Sequence, residues 1–249
     1  MTNRRLNVAF LPQMIEPEDL RGSQVVVTDV LRASTTIVTA LDRGATCIVP
    51  TAEIADARRL KTELPPPVVL GGERGGVIIA GFDQGNSPLE FTPEIIGGKK
   101  LVLCTTNGTV ALAHCRSAER VYVGAFVNLS VVADVLQNAD HVTIMCSGTN
   151  RRVTSEDILF AGALVERLLD LREHWRLGDQ ATVALGYWMS VMEGMRLGRS
   201  LAGELASGAG GRNLLKLGYH ADIEFCARID HVPRVPELDL ALWQIRIQD

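Results

Sequence analysis

The stretch of sequence that decides the fold reads Val25-Val26-Val27-Thr28-Asp29-Val30-Leu31-Arg32-Ala33-Ser34-Thr35-Thr36. Its apolar, β-branched start predicts a strand that is buried on both faces. The three hydroxyl residues precede an apolar stretch with helical spacing, and helix N-termini bind anions through their free N–H groups. A carboxylate, a guanidinium and three hydroxyls therefore gather at the carboxyl end of a strand, where sheets of this class bind ligands. The alternative is a capped helix beside a solvated Asp29 and Arg32.

Composition limits the possible classes of protein. The chain has 249 residues, of which 47% are hydrophobic and 22% charged, and its formal net charge is -4. These values are typical of a soluble globular protein, and the absence of a basic bias argues against nucleic acid as a partner. No apolar run reaches the roughly 18 residues of a membrane span. The five cysteines are scattered and form no metal-binding spacing, so we expect a cytoplasmic protein with reduced thiols and no membrane partner.

The sequence also repeats its strand and helix pattern at an offset of about 75 residues. We interpret residues 20–98 and 99–150 as two related βαβαβ units, although chance similarity between βα stretches is an alternative. In this alignment Asp29 corresponds to Thr105, and Glu73 falls near Ser147. We predict one domain over residues 1–249, an α/β protein with layered α/β/α architecture and a mixed, largely parallel sheet.

The remaining part, residues 154–249, is predicted to be mainly helical. Glu156 and Asp157 follow Thr154 and Ser155, and this pattern favours a capping role in the first turn of a long helix. The glycine-rich residues 207–212 lack a preceding strand and a P-loop lysine, so we interpret them as a linker. Residues 240–247 alternate in polarity and predict a final strand.

Two kinds of phosphatase chemistry are compatible with these residues. Cys146 and Arg152 have the Cys-x5-Arg spacing of cysteine phosphatases, but Val153 stands where a hydroxyl residue is usual. The second kind uses oxygen ligands: Asp29, Glu73 and Asp83 suit Mg²⁺. Arg32 and Arg74 can clamp anionic oxygens, and this combination suits phosphoryl transfer to water.

Several strings of the sequence together resemble the 2-phosphosulfolactate phosphatase family. They are Asp29-Val30-Leu31-Arg32-Ala33-Ser34-Thr35-Thr36, Gly71-Gly72-Glu73-Arg74-Gly75, Gly81-Phe82-Asp83-Gln84-Gly85-Asn86-Ser87-Pro88, Thr105-Thr106-Asn107-Gly108-Thr109 and Cys146-Ser147-Gly148 with Glu156-Asp157. The resemblance covers nearly the whole chain in order. It implies an α/β fold of two similar subdomains and a Mg²⁺-dependent phosphatase. The implied reaction converts 2-phosphosulfolactate and water to 3-sulfolactate and phosphate, a step of coenzyme M biosynthesis.

Such a substrate carries three anionic groups and needs several anion sites. We expect Asp29 and Glu73 to hold Mg²⁺ or manage the attacking water, and Arg32 and Arg74 to bind anionic oxygens. The predicted substrate-binding residues are Ser34, Thr35, Thr36, Asn86, Ser87, Thr105, Thr106, Asn107, Gly108 and Thr109. The alternatives are a phosphatase for another phosphorylated hydroxy acid and a non-catalytic anion-binding module. The apolar C-terminal helices make a homodimer a reasonable expectation.

Overall fold

A computed structural model describes residues 4–247 of the chain. In this range eleven strands form one sheet: β1 (Arg4–Ala9), β2 (Gln24–Thr28), β3 (Cys47–Thr51), β4 (Val68–Arg74), β5 (Val77–Ile78), β6 (Lys100–Cys104), β7 (Arg120–Val123), β8 (His141–Cys146), β9 (Trp175–Leu177), β10 (Pro236–Asp239) and β11 (Gln244–Ile247). The α-helices in the same range are α1 (Ala33–Asp42), α2 (Ile54–Glu63), α3 (Pro93–Ile96), α4 (Gly108–His114), α5 (Leu129–Leu136), α6 (Ser155–Leu171), α7 (Asp179–Arg196), α8 (Leu201–Ser207), α9 (Ala209–Lys216) and α10 (His220–Cys226). The predicted α/β class with a mixed, largely parallel sheet is confirmed.

The strand order interleaves the two halves of the sequence. The order is β5-β4-β6-β3-β11-β10-β7-β2-β8-β1-β9, and the antiparallel neighbours are β4 with β5, β10 with β11, and this last hairpin with β7 and β3. Strand β6 lies between β3 and β4, and β2 lies between β7 and β8. The first strand of each half therefore completes a trio with two strands of the other half, whereas the sequence predicted a βαβαβ unit within each half.

The registers of these trios are equivalent, as the offset in the sequence requires. Thr28 at the end of β2 pairs with Cys146 of β8, and Cys104 at the end of β6 pairs with Gly72 of β4. The carboxyl ends of parallel strands meet at one edge of a sheet. The interleaving therefore places Asp29, which follows β2, beside the loop after β8, and it places the loop after β6 beside Glu73.

Strand β2 is buried on both faces, as its apolar run predicts. Val26 packs in a core cluster with Phe160 of α6 and Trp188 of α7 on one side of the sheet. On the other side, Val25 and Val27 pack in a second cluster that includes Ile37 of α1 and Leu112 of α4. Burial of such apolar side chains contributes about 1.5–3 kcal/mol each. These two helical layers complete the α/β/α architecture.

Of two sequence predictions about the C-terminal part, the first is corrected and the second is confirmed. The glycine-rich residues 207–212 do not form a linker, because they end α8 and begin α9 with Gly208 between the two helices. The predicted final strand is present as Gln244–Ile247, which is β11, the second strand of a hairpin whose first strand begins at Pro236. Among residues 4–247, no helix combines the length and apolar character that a membrane crossing requires.

The packing of α6 against α7 depends on Gly162. A Cβ atom at this position would collide with the backbone carbonyl of Ala184 in α7. Gly162→Ala should therefore lower the free energy of unfolding by about 1–3 kcal/mol, because overpacking forces the backbones apart. Gly186→Ala in α7 is the control, since a Cβ there meets no atom within 4 Å; it should stabilise by about 0.5–1 kcal/mol. Urea unfolding of both variants tests this, and equal effects would contradict the close approach.

Candidate active site

A cleft of about 690 Å³ opens at the carboxyl ends of the parallel strands. The loops after β2, β4, β6 and β8 line it from the sheet, and α9 lines it from the C-terminal part. Among the predicted site residues, those that line the cleft are Asp29, Arg32, Glu73, Asn86, Thr106 and Asn107. Both halves of the sequence therefore contribute polar side chains to a single cleft.

The carboxylate of Asp29 is nearly buried in this cleft. Its oxygen Oδ1 accepts a long hydrogen bond of 3.3 Å from the N–H of Ala33, and the N–H of Gly108 also donates to the carboxylate. Burial, followed by the charges of Glu73 and Glu156, raises the pKa of Asp29 to about 7. Asp29 therefore exchanges its proton near neutral pH.

Glu73 lies on the neighbouring trio of strands and is held by hydrogen bonds. Its oxygen Oε1 accepts from the N–H and from Oγ1 of Thr106, both at 3.0 Å, and Oε2 accepts from the N–H of Gly76 at 2.8 Å. Because the end of β6 lies beside β4, Thr106 reaches Glu73 across the strand boundary. The carboxylate is therefore fixed in one orientation towards the cleft.

Arg32 is a buried cation at the same edge. Its guanidinium donates to Oδ2 of Asp222 at 2.7 Å and to the carbonyl of Gly76 at 2.9 Å, and it lies 4.2 Å from the ring centroid of Tyr219. Asp222 is equally buried and also accepts from Oγ of Ser87 at 2.7 Å. Sequence reasoning missed Asp222, since one carboxylate in a short helix carries no motif. It fixes Arg32 and ties α10 to the cleft.

Asp157 was predicted to cap α6, and the structure gives it a different role. Its Oδ1 accepts from the N–H of Val30 and its Oδ2 from the N–H of Gly148, both at 2.9 Å. One carboxylate therefore joins the loop after β2 to the loop after β8. Burial and the charges of Asp29 and Glu156 raise its pKa well above the usual range, and burial also raises the pKa of Glu156. Sequence analysis did not predict this role, because acids in the first turn of a helix usually serve to cap it.

The hydroxyls of residues 34–36 do not line the cleft. Oγ of Ser34 accepts from the N–H of Asp29 at 2.8 Å, whereas Oγ1 of Thr35 donates to the carbonyl of Val30 at 3.0 Å. Oγ1 of Thr36 donates to the carbonyl of Asn86 at 2.9 Å. All three side chains are buried, because the start of α1 lies inside the protein. They shape the loops around Asp29, which corrects the prediction that they bind substrate.

Four other predicted substrate-binding residues also lie behind the cleft surface. Oγ of Ser87 donates to Asp222, and Oγ1 of Thr109 donates to the carbonyl of Thr105 at 2.9 Å. Thr105 is buried. Gly108 packs against Asp29, where a Cβ would come within 3.1 Å of Oδ2. These residues support the cleft from below and do not face a ligand in it.

Arg74 and Asp83 are not part of the cleft either. Arg74 donates to the carbonyls of Glu73 and Ala52, and thereby braces the end of β4. Oδ2 of Asp83 accepts from Lys61 at 2.6 Å and from the N–H of Leu70 at 2.8 Å. Within residues 4–247, no three side chains of the His, Cys, Asp and Glu types are grouped so that they could hold a metal ion. The predicted grouping of Asp83 with Asp29 and Glu73 is therefore wrong.

The cysteine-phosphatase alternative also fails. Cys146 is the last residue of β8 and is completely buried. Burial, with the charges of Asp157 and Glu156, raises the pKa of its thiol well above the usual value. A thiolate nucleophile needs a lowered pKa and access to the substrate. The spacing between Cys146 and Arg152 therefore does not mark a thiolate site.

The fold and the cleft define an α/β protein with a polar cleft beside buried carboxylates at the carboxyl ends of parallel strands. Comparison with known proteins makes this class specific. A model of the family described as "2-phosphosulpholactate phosphatase" matches residues 9–240. The chain belongs to this family, and the predicted phosphoric monoester hydrolase is thereby confirmed at the level of the family.

Curated relatives match over most of their length. A protein of Pseudothermotoga lettingae is 38% identical over 231 residues, which cover 93% of this chain and 94% of the relative. A protein of Caldicellulosiruptor saccharolyticus is 38% identical over 225 residues, with 88% and 90% covered. One from Thermotoga maritima is 42% identical over 190 residues, with 76% and 78% covered. Each of these relatives is named "Probable 2-phosphosulfolactate phosphatase".

Proposed function

We propose that this chain hydrolyses 2-phosphosulfolactate to 3-sulfolactate and phosphate with Mg²⁺ as cofactor, and that it serves coenzyme M biosynthesis. The names of its relatives support the substrate. The observation that carries the chemistry is the buried carboxylate of Asp29, whose pKa is raised to about 7 where it faces the cleft. The cytoplasmic location and the homodimer remain predictions.

The charges around the cleft support a cationic cofactor. Five acids, which are Asp29, Glu73, Glu156, Asp157 and Asp222, lie in or directly behind the cleft, and the described arginines that line it are Arg32 and Arg152. Repulsion among these acids contributes to the raised pKa values of Asp29 and Asp157. A bound divalent cation would relieve that repulsion and favour the ionised carboxylate of Asp29, and it would add positive charge for a substrate with three anionic groups.

The donor atoms in the cleft fit Mg²⁺. Oδ1 of Asn86 is buried and has no hydrogen-bond partner among residues 4–247. Together with the carboxylates of Asp29 and Glu73 it offers hard oxygen donors, and Mg²⁺ needs only one or two carboxylates because it keeps several waters. We assign these three side chains to the metal. Bound there, the ion would neutralise phosphoryl charge and orient or activate the attacking water.

The residues of the chain then have separate tasks. Arg32, held by Asp222, presents its remaining N–H groups to the phosphoryl oxygens, because two of the five N–H groups of a guanidinium are already used. Asp29 faces the cleft as a carboxylate that would hold the metal. Thr106 fixes Glu73, and Asn107 presents its amide at the wall of the cleft. Positioning and charge compensation are the main needs of phosphoryl transfer.

Phosphate release from a panel of phosphoesters tests this proposal. The wild-type protein should release phosphate from 2-phosphosulfolactate with Mg²⁺ and should be inactive in EDTA. Glu73→Gln should lower activity by roughly 10²-fold or more and weaken Mg²⁺ binding in calorimetry, since it removes a proposed ligand. Asp83→Asn is the matched control, and it should leave both unchanged because Asp83 lies outside the cleft.

Three outcomes would contradict the proposal in different ways. Full activity in EDTA would exclude the metal. Preference for another phosphorylated hydroxy acid would show that this acid, and not 2-phosphosulfolactate, is the substrate. Mg²⁺ or phosphate binding without phosphate release from any ester would show an anion-binding module.

A further inference from the structure

A tight hairpin at the cleft follows the third strand of each repeat. In the first half, Arg74 pairs with Val77 around Gly75 and Gly76, whose φ angles are 64° and 89°. In the second half, Thr149 pairs with Arg152 through two backbone hydrogen bonds of 2.9 and 3.0 Å, around Asn150 and Arg151 with φ angles of 52° and 59°. Both turns are left-handed at two successive residues, as type I′ hairpins require. The same offset of about 75 residues relates them.

The first hairpin is covered by the C-terminal helices. The carbonyl of Gly75 accepts from Asn213 of α9 at 3.2 Å, and the carbonyl of Gly76 accepts from Arg32 at 2.9 Å. A Cβ at Gly76 would come within 2.7 Å of Leu217. This hairpin therefore contributes backbone to the cleft, and its two glycines leave no side chain there to contact a ligand.

The second hairpin is exposed and carries arginines. The N–H of Asn150 donates to Oδ1 of Asn107 at 3.0 Å, which ties the turn to the start of α4. Arg152 lines the cleft and is exposed to solvent. Its guanidinium forms no hydrogen bond or ion pair with any residue in the described range 4–247. Arg151, its neighbour on the turn, is also exposed but does not line the cleft.

The cleft therefore has an inner and an outer arginine. Arg32 is 2% exposed and is held by Asp222, whereas Arg152 is at the solvent edge on an anchored turn. A substrate that places its phosphate beside Asp29 uses the inner arginine for the group that is transferred. The outer arginine then faces whatever part of the substrate extends towards the hairpin at residues 149–152.

We propose, on the basis of the proposed function, that Arg152 determines substrate specificity by binding the sulfonate. The carboxylate of 2-phosphosulfolactate is attached directly to the carbon that carries the phosphate ester, whereas the sulfonate is attached one carbon further away. The sulfonate therefore reaches furthest from the phosphate. It stays ionised at all working pH values, and two of its oxygens match the paired N–H groups of a guanidinium.

A pair of substrates and a pair of variants test the assignment. Arg152→Gln and Arg151→Gln each remove one positive charge from the same turn, and Gln preserves much of the side-chain length. With 2-phosphosulfolactate, Arg152→Gln should lower kcat/KM by roughly 10- to 100-fold, mostly through KM, and Arg151→Gln by less than about 3-fold. With 2-phospholactate, which has hydrogen in place of the sulfonate, Arg152→Gln should change kcat/KM by less than about 3-fold.

Equal losses for both variants, or equal losses with both substrates, would overturn the assignment. Binding of 3-sulfolactate, measured by calorimetry against lactate, separates this inference from the proposed function because it needs no turnover. If the wild-type protein hydrolyses neither ester but binds 3-sulfolactate through Arg152, the proposed function fails and the sulfonate site stands. If Arg152→Gln binds 3-sulfolactate as tightly as the wild type, the sulfonate site fails whatever the activity.

Discussion

Asp29→Asn should remove nearly all phosphate release and at the same time make the protein relatively more stable at alkaline pH. The amide that replaces the carboxylate cannot accept a proton or offer a full negative charge to a cation, so kcat should fall by roughly 10²- to 10⁴-fold. Because this amide is nearly isosteric, it leaves the core around β2 unchanged. The measurement is phosphate release from 2-phosphosulfolactate at saturating Mg²⁺, and a normal kcat in this variant would contradict the assigned role of Asp29.

The stability effect follows from the sign of the pKa shift. The pKa of Asp29 is about 7 in the folded protein and 3.8 for an unperturbed side chain. Between these values the folded state binds more protons than the unfolded state, so the free energy of unfolding falls as pH rises from about 4 to about 7. The full penalty is present above pH 7 and amounts to something on the order of 2–4 kcal/mol. The uncharged amide of the variant carries no such penalty.

The test compares urea unfolding of Asp29→Asn and wild type in EDTA at several pH values. The difference in unfolding free energy should shift in favour of the variant between pH 5 and pH 8. Wild-type protein should regain stability when Mg²⁺ is added at pH 8, since a ligand that binds the folded state stabilises it. If the difference in unfolding free energy did not change with pH, the folded protein would not raise the pKa of Asp29.

The sequence predicted that residues of both halves meet at one cleft, because the topology of parallel strands requires it. Asp29 and Glu73 each follow an apolar strand run, and Thr106 and Asn107 follow a third. Strand ends of a parallel sheet converge at one edge, so these residues had to meet once the strands were identified. The interleaved order of β2 and β6 could not be predicted, because either arrangement buries the same apolar residues and satisfies the same backbone groups.

The direction of individual side chains was much less predictable. Thr36 and Arg74 belong to conspicuous strings, but the hydroxyl and the guanidinium satisfy backbone carbonyls that the loops would otherwise bury without partners. Conversely, Asp222 and Asn213 belong to helices that follow no strand, and no local pattern indicates that they reach the cleft. Only the packing of α9 and α10 over the strand ends gives them a role.

The second large effect concerns the ion pair of Arg32 and Asp222. The two side chains are 1% and 3% exposed, and their charged atoms are 2.7 Å apart. Removal of one partner leaves a buried charge without compensation, so Asp222→Asn should lower the free energy of unfolding by about 3–5 kcal/mol. Asp42→Asn is the control, since its pair with Arg234 at 3.0 Å is largely exposed and should contribute less than about 1 kcal/mol. Similar losses in urea unfolding for the two variants would contradict the prediction.

A double variant separates stability from function at this pair. Arg32→Met with Asp222→Leu removes both charges, and apolar replacement of a buried pair is often neutral or stabilising. The double variant should therefore recover most of the stability lost in Asp222→Asn, but it should not recover phosphate release, because the inner cation of the cleft is gone. Recovery of both stability and phosphate release would show that Arg32 only holds α10 in place. Recovery of stability alone would show that the charge pair is retained for the ligand, since an apolar pair serves the fold equally well.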